Sequence, residues 1–182
     1  MKTVVLFSSP NRKGNTSILL DNFLKEYKGE VEILNVYDLN IEPCIDCRYC
    51  YNTGKCKLKD DMIRIYEKID ICDVVVIASP MYFTSFPAPL KMVIDRFQAY
   101  WSRKFIIKEQ TPLKRKRGVL LMSSGLKGEF AFSHCEAIIK QFFSLINAEF
   151  FSKVYAEATD KNPVKDNENI KRIAVQKGIE LF

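Results

Sequence analysis

Short apolar runs that alternate with longer helical patterns restrict the fold of this sequence more than any other feature. Five runs predict buried strands: Thr3–Ser8, Val31–Val36, Asp73–Ala78, Lys116–Ser123 and Phe150–Ala156. Apolar residues at helical spacing predict helices over Asn15–Tyr27, Asp60–Ile71, Pro87–Tyr100, Phe130–Asn147 and Pro163–Leu181. Repeated strand–helix–strand units imply right-handed crossovers and a parallel sheet that is covered by helices on both faces.

Length and charge limit the classes of protein that this chain fits. Its 182 residues favour one domain over residues 1–182, and 47% hydrophobic with 27% charged residues is typical of a globular protein. The net charge of +6 favours an anionic ligand but does not indicate nucleic acid, and we interpret the basic run 114–117 as a solvated loop. No apolar stretch approaches the roughly 18 residues of a membrane span, and no signal peptide is recognisable, so we expect a cytoplasmic protein that binds neither membrane nor nucleic acid.

The turn after the first predicted strand, residues 8–17, has the chemistry of a phosphate-binding loop. It opens a helix, whose N-terminal N–H groups attract anions. It matches neither a Walker A loop nor a Gly-x-Gly-x-x-Gly motif. Its hydroxyls, amides and one guanidinium can saturate a terminal phosphate; they belong to Ser9, Asn11, Arg12, Asn15, Thr16 and Ser17. The alternative is a polar turn in which Asn15 caps the helix.

The segments that follow the third and fourth strands add an aromatic surface at the same predicted edge. Ligands of open parallel sheets bind beyond the carboxyl ends of the strands. The third strand ends in Pro80, Met81, Tyr82, Phe83 and Thr84, which offer stacking surface and backbone amides to a flat heteroaromatic ring. Ser124 and Gly125 form a third wall. Together with the phosphate loop, this pattern indicates a mononucleotide with a large planar head; the alternative is that the aromatic residues cap the core.

These motifs together resemble the flavodoxin-like NAD(P)H-dependent FMN reductase family. The resemblance rests on SSPNRKGNTS, on SPMYFTSFPAPLK with DR three residues later, and on the SSG turn, and it spans Lys2 to about Tyr155. It implies an α/β three-layer sandwich with a five-stranded parallel sheet in the order 2-1-3-4-5. It also implies FMN, bound through its phosphate at Ser9–Ser17 and through its ring at Pro80–Thr84, in a homodimer or homotetramer. The family reduces free flavin, quinones, azo dyes and nitroaromatics.

A segment of about twenty residues, Asn40–Lys59, interrupts the alternation and holds four of the six cysteines. Loops this long inside a domain are usually functional. The spacing of these four cysteines, Cys44, Cys47, Cys50 and Cys56, is close to that of the cysteine run of ferredoxins. It differs in that five residues separate the third cysteine from the fourth, and Lys57 follows the fourth in place of proline. The paired CxxC knuckles of structural zinc sites are missing from the sequence. The loop resembles that of iron-sulfur flavoproteins, a branch of the same family, which implies a [4Fe–4S] cluster on these four cysteines.

Three functions stay open at this point. In the first, a cluster passes single electrons between a ferredoxin-type carrier and FMN. In the second, no cluster forms, and NAD(P)H reduces FMN directly, which then reduces a small-molecule acceptor. In the third, the protein is a non-catalytic redox or metal sensor. In the second case the loop cysteines are free, in a redox-active or merely structural loop; in the third the cysteine loop reports to a partner. We name no catalytic side chain, because the flavin carries the redox chemistry.

Self-association is a separate expectation. The helical segments 87–101 and 130–147 carry more aromatic residues than one sheet face needs, and such an excess often marks an interface. The residues are Phe97, Tyr100, Trp101, Phe130, Phe132, Phe142 and Phe143. The remaining cysteines, Cys72 and Cys135, are expected to be buried as small apolar side chains.

Overall fold

The apolar runs form the centre of the molecule. The computed structural model describes residues 1–109 and 113–182, without the side chain of Glu129, and within them five strands make one parallel sheet. The strands are β1 (Lys2–Phe7), β2 (Glu30–Asn35), β3 (Val74–Pro80), β4 (Lys116–Ser123) and β5 (Ala148–Ala156). Their order is β2-β1-β3-β4-β5, and every neighbouring pair is parallel. The structure therefore confirms the predicted flavodoxin-like sandwich and its strand order.

Helices cover both faces of the sheet. The α-helices are α1 (Asn15–Leu24), α2 (Tyr49–Thr53), α3 (Met62–Ile71), α4 (Ala88–Arg96), α5 (Gln98–Ser102), α6 (Ser133–Leu145) and α7 (Glu168–Ile179). A π-helical turn, Arg103–Ile107, continues α5, and short 3₁₀ turns occupy Glu129–Phe132 and Val164–Asp166. None of the helices in the described ranges combines the length and the apolar character that a bilayer crossing needs.

Alternate residues of the strands build two separate cores. On one face, Val5, Val76 and Val119 pack with buried residues of α1 and α7. On the other, Leu6, Ile77 and Leu120 pack with buried residues of α3, α4, α5 and α6. Because strand side chains alternate between faces, each strand contributes to both layers. Cys72 and Cys135 are buried, as expected.

The aromatic excess has a different explanation from the one predicted. Phe97, Tyr100, Phe132, Phe142 and Phe143 are buried within the chain's own core, so they do not form an exposed interface. Several of them meet each other: the rings of Phe97 and Phe142 make an edge contact with centroids 4.9 Å apart, and Phe97 and Tyr100 lie 4.8 Å apart. Only the other two aromatic residues of that set, Phe130 and Trp101, keep exposed surface. The prediction of an interface from these seven residues is therefore wrong in its basis.

Two local predictions are also corrected. The helix predicted over Pro87–Tyr100 is divided, because Phe97 leaves helical geometry between α4 and α5. The basic run 114–117 is not wholly a solvated loop. Lys116 begins β4, as the predicted strand Lys116–Ser123 has it, but its side chain is buried, and its ammonium group donates to the carbonyl oxygens of Lys114 and Ile146. Burial lowers the pKa of Lys116.

Candidate functional site

The loops after β1, β3 and β4 meet at the carboxyl edge of the sheet and are hydrogen-bonded to one another. The hydroxyls of Thr16 and Ser123 share a bond of 2.7 Å, and the Met81 N–H donates to the Ser123 carbonyl over 2.8 Å. One layer below, the Ser8 hydroxyl donates to the Ser79 hydroxyl over 2.8 Å. We call this region the carboxyl-edge site. It comprises Ser9–Ser17, Pro80–Thr84, Ser124 and Gly125. The structure thus brings together the three segments that the sequence singled out.

Side chains of the first loop hold its own backbone and leave the start of α1 open. The Ser9 and Ser17 hydroxyls both donate to the Asn11 carbonyl, at 3.1 and 3.2 Å. Gly14 is the N-cap of α1, and no described side chain caps the helix, so its first N–H groups face the loop without a protein acceptor from a cap. The alternative in which Asn15 caps α1 is therefore wrong.

Two residues of the predicted phosphate loop have partners outside it. The Asn15 side-chain oxygen accepts the N–H of Val164 over 2.9 Å, which ties α1 to the turn before α7. The Arg12 guanidinium forms an exposed ion pair with Asp38, just beyond β2. Neither contact is visible in the sequence, since both partners are distant along the chain.

The segment after β3 makes a tight, strained turn. Tyr82 and Ser85 exchange two backbone hydrogen bonds of 2.9 and 3.0 Å. Phe83 and Thr84, at the centre of the turn, have φ values of 49° and 57°. Side-chain-bearing residues rarely adopt this left-handed conformation, and such strain clusters at ligand-binding sites. The turn leaves the Phe83 ring fully exposed and Tyr82 half-exposed, which gives a flat ligand an aromatic surface.

The wall after β4 is close to a second loop. The Ser124 N–H donates to the Ala156 carbonyl over 2.9 Å, and its hydroxyl accepts the N–H of Leu126 and contacts the Met81 sulfur. A Cβ atom at Gly125 would lie 2.3 Å from a carboxylate oxygen of Asp160, so only glycine fits there without displacing that side chain.

The four loop cysteines surround one cavity. Together with Arg96 and Ala99 they line a small cavity that is partly open to solvent. Cys44 and Cys47 are exposed, and Cys50 and Cys56 are half-buried. Cys50 lies on α2, which the sequence did not predict inside this loop.

The thiols are near one another without meeting at a point. Burial raises the pKa of Cys50, and the charges of Cys44, Cys56 and Cys47 raise it further. Within residues 1–109 and 113–182, however, no three histidine, cysteine, aspartate or glutamate side chains converge closely enough to hold a single metal ion.

The cysteine loop is held by α5 and the π-helical turn. The Ser102 hydroxyl donates to the Cys50 carbonyl over 2.8 Å, and the Arg103 Nε donates to the Gly54 carbonyl over 2.7 Å. Gly54 ends α2 at a φ of 65°. These supports escaped the sequence analysis, because nothing in the local pattern of residues 98–107 connects them to a loop fifty residues earlier.

The base of the same loop is closed by a buried ion pair. The Asp60 carboxylate accepts the N–H of Glu42 at one end of the loop and two hydrogen bonds from Arg96, at 2.7 and 3.1 Å. Arg96 also donates to the Glu42 carbonyl over 2.7 Å. Beside this pair, Asp61 accepts the Asn40 N–H over 2.7 Å. Asp60 and Arg96 are a further part of the site that the sequence analysis did not assign. The sequence feature that could have indicated them is the pair of acidic residues that follows the loop.

Comparisons with known proteins agree with this geometry. The profile of the family described as NADPH-dependent FMN reductase matches residues 1–156. An iron-sulfur flavoprotein of Methanocaldococcus jannaschii is 36% identical over 99 residues, 53% of this chain and 51% of that protein. The chain thus spans about half the length of the curated relatives it matches.

Solved structures show the same fold at low identity. An NAD(P)H:quinone oxidoreductase from Methanothermobacter marburgensis superposes with a TM-score of 0.69 at 18% identity, covering 99% of this chain and 94% of that one. An FMN-dependent NADH-azoreductase from Bacillus anthracis, solved with FMN, gives 0.67 at 14% identity over 100% and 99% of the two chains. At these identities the likeness concerns the fold alone.

Proposed function

The chain belongs to the NADPH-dependent FMN reductase family, and from this premise we propose that it is an FMN-dependent oxidoreductase whose cysteine loop holds a [4Fe–4S] cluster. In this function, single electrons pass between a ferredoxin-type carrier, the cluster and FMN. Residues 1–182 act as one flavin-binding domain. The observation that carries the proposal is the coexistence of a built carboxyl-edge site and a cavity lined by four thiols.

For FMN, the support is the chemistry of the carboxyl-edge site. The open start of α1, in the loop that also carries Ser9, Thr16 and Ser17, suits a terminal phosphate. The strained turn at Phe83 and Thr84 presents backbone amides and aromatic surface to the ring, where N–H groups stabilise negative charge on a reduced flavin. FMN, when bound, supplies hydride and one-electron chemistry, while this chain binds and orients it.

For the cluster, the support is the arrangement of the donors. A zinc ion holds sulfur ligands at about 2.3 Å, so its four thiols meet at one point. A four-iron cluster is a larger body, and its cysteine ligands stand further apart around it. Four cysteines that line one cavity supply the number of ligands that such a cluster needs. The iron-sulfur flavoprotein names of the relatives point the same way.

We further propose a homodimer or homotetramer whose subunits cover the carboxyl-edge site. Large exposed aromatic side chains on a folded chain often mark an interface. Phe83 is fully exposed within the site and Phe130 is mostly exposed on the loop after β4, which follows the same edge. None of the six cysteines forms a disulfide within the described residues, which fits a reducing compartment, and we place the protein in the cytoplasm.

The metal and flavin content of the anaerobically purified protein tests this function. We expect one FMN, about four iron and about four acid-labile sulfide per chain, with broad absorbance near 400 nm. Cys50→Ser removes a ligand at the centre of the loop and should abolish the iron while sparing FMN. Cys135→Ala, in the core, is the matched control and should keep both.

The result discriminates among the alternatives. If the protein contains FMN but no iron and oxidises NAD(P)H, the direct-reductase function is favoured over the cluster function. In that function a hydride passes from NAD(P)H through FMN to a small-molecule acceptor. One zinc ion and no turnover of any donor–acceptor pair would favour the sensor.

A further inference from the structure

Arg96 is a fully buried cation at the wall of the cysteine cavity. It lies at the end of α4 and lines the cavity together with the four cysteines. Its side chain is 1% exposed, and so is almost wholly removed from water. Burying a charge costs free energy unless each of its polar groups has a partner. The hydrogen bonds of Arg96 therefore indicate which groups the site is arranged to bind.

Four of the five guanidinium N–H groups belong to the two terminal nitrogens, and these nitrogens have acceptors. Nη1 donates to the Glu42 carbonyl and to an Asp60 oxygen, each over 2.7 Å, and Nη2 donates to the other Asp60 oxygen over 3.1 Å. The fifth, Nε–H, is buried and has no acceptor anywhere in the described ranges 1–109 and 113–182. Buried N–H groups nearly always have a partner, so this one indicates an acceptor that the chain itself does not supply.

The groups around Arg96 keep its guanidinium charged. Burial opposes the charge of Arg96, but Asp60, Cys56 and the phenol of Tyr66 favour it, and the pKa of Arg96 is raised as a result. Asp60, the carboxylate counter-ion of Arg96, also accepts the backbone N–H groups of Glu42 and Met62. Arg96 thus lines, as a charged group, a cavity whose other polar side chains include the four thiols, Asp46, Arg48, Lys57 and Gln98.

We propose that Arg96 donates its Nε–H to the sulfur of the cysteine-ligated cluster and, by its charge, raises the reduction potential of that cluster. The inference rests on the proposed function, since it needs the cluster to be present. Hydrogen bonds to sulfur and nearby charge are the means by which proteins set the potentials of iron-sulfur sites. An electron added to the cluster increases its negative charge, and a fixed cation stabilises that reduced form more than the oxidised form.

Arg96 has a second, structural role, because it joins the two ends of the loop at Glu42 and Asp60. The two roles predict different results when the charges are removed separately. If Arg96 only closes the loop, neutralising Asp60 and neutralising Arg96 loosen the same contact and change the cluster in the same direction. If its charge acts on the cluster, the two substitutions have opposite effects.

The test is a redox titration of the anaerobically purified holoprotein with dithionite and mediators, followed by absorbance and electron paramagnetic resonance. Arg96→Gln should lower the ratio of reduced to oxidised cluster at a fixed potential about tenfold, equivalent to about 59 mV for a one-electron couple. Asp60→Asn, which leaves Arg96 without its counter-ion, should raise that ratio. Arg64→Gln is the matched control, because Arg64 forms an exposed ion pair with Glu32 away from the cavity.

Each outcome decides the proposal. Shifts of opposite sign, with iron, sulfide and FMN at wild-type content, support it; shifts of the same sign, or none, overturn it and leave Arg96 as a structural residue. Should Arg96→Gln fail to fold, Asp60→Asn alone decides, since a fall or no change in potential contradicts the proposal. If the wild-type protein contains no iron, the proposed cluster is overturned together with the role of Arg96. If iron is present and the potentials do not shift as expected, only the role of Arg96 is overturned.

Discussion

The carboxyl-edge site and the cysteine loop are built in opposite ways. At the carboxyl-edge site, the hydroxyls of the loops after β1 and β4 are buried, and some of them are bonded to each other between loops, as Thr16 and Ser123 show. In the cysteine loop, Cys44 and Cys47 are exposed, and the loop is held at its base and by contacts from α5 and the π-helical turn. Opening the carboxyl-edge site therefore requires disrupting contacts between strands of the sheet, whereas opening the cysteine loop requires breaking only a few contacts.

This difference predicts that substitutions at the two regions act independently. A change at the carboxyl-edge site should alter FMN binding without loss of iron, and a change at the cysteine loop should alter iron retention without loss of FMN. Three substitutions test this separation, in order of the size of the expected effect.

Asn15→Asp should have the largest effect. The aspartate keeps the acceptor for the Val164 N–H and adds a negative charge in the first turn of α1, which stabilises a helix. The same charge repels a bound phosphate by about 3 kcal/mol, so FMN affinity should fall roughly a hundredfold while the apoprotein melts no earlier. Fluorescence titration with FMN measures the first effect and calorimetry the second.

Asn22→Asp is the control for that substitution, because it places the charge two turns further along α1. Undiminished FMN affinity in Asn15→Asp would show that the phosphate is bound elsewhere. Loss of iron in the same variant would contradict the independence of the two regions.

Gly54→Ala should have the next largest effect. Gly54 has a φ of 65°, and a Cβ atom there would lie 3.0 Å from the Arg103 side chain. The left-handed conformation costs a side-chain-bearing residue about 1–2 kcal/mol, which should speed the loss of iron to a chelator about tenfold with FMN unchanged. Gly128→Ala is the matched control, since Gly128 also has a positive φ but no neighbour within 4 Å, and lies outside the cysteine loop. Equal iron loss in both variants would refute the local explanation.

Ser102→Ala should have the smallest effect. It removes the hydrogen bond to the Cys50 carbonyl, worth about 1 kcal/mol, and should make local opening of α2 about fivefold more frequent. Thiol labelling of Cys50 in the metal-free protein, read by mass spectrometry, measures that opening. Ser133→Ala deletes the same kind of bond, from a hydroxyl to the Phe130 carbonyl, and should leave Cys50 labelling unchanged. An unchanged rate in Ser102→Ala would show that α2 is held by other contacts.

The sequence by itself determined the architecture. Apolar runs such as Val74–Ala78 predict buried strands, because a strand covered on both faces needs apolar side chains at every position. Helical spacing between the runs implies the crossovers, and the strand order follows from the family resemblance. Parallel strands end at a common edge, so the meeting of residues 8–17, 80–84 and 124–125 also followed from the sequence; their contact with FMN remains a prediction.

Only the tertiary structure decided which distant groups pair. Local patterns report whether a residue prefers to be buried, but not which partner it meets there. The sequence analysis therefore expected the side chain of Lys116, at the start of a predicted strand, to be solvated, and it counted Phe142 among aromatic residues that the core does not need. The fold buries both side chains. It gave no sign that Arg96 would cross to Asp60 and Glu42. The physical reason is that hydrogen bonds and buried charges depend on three-dimensional position, which spacing along the chain does not specify.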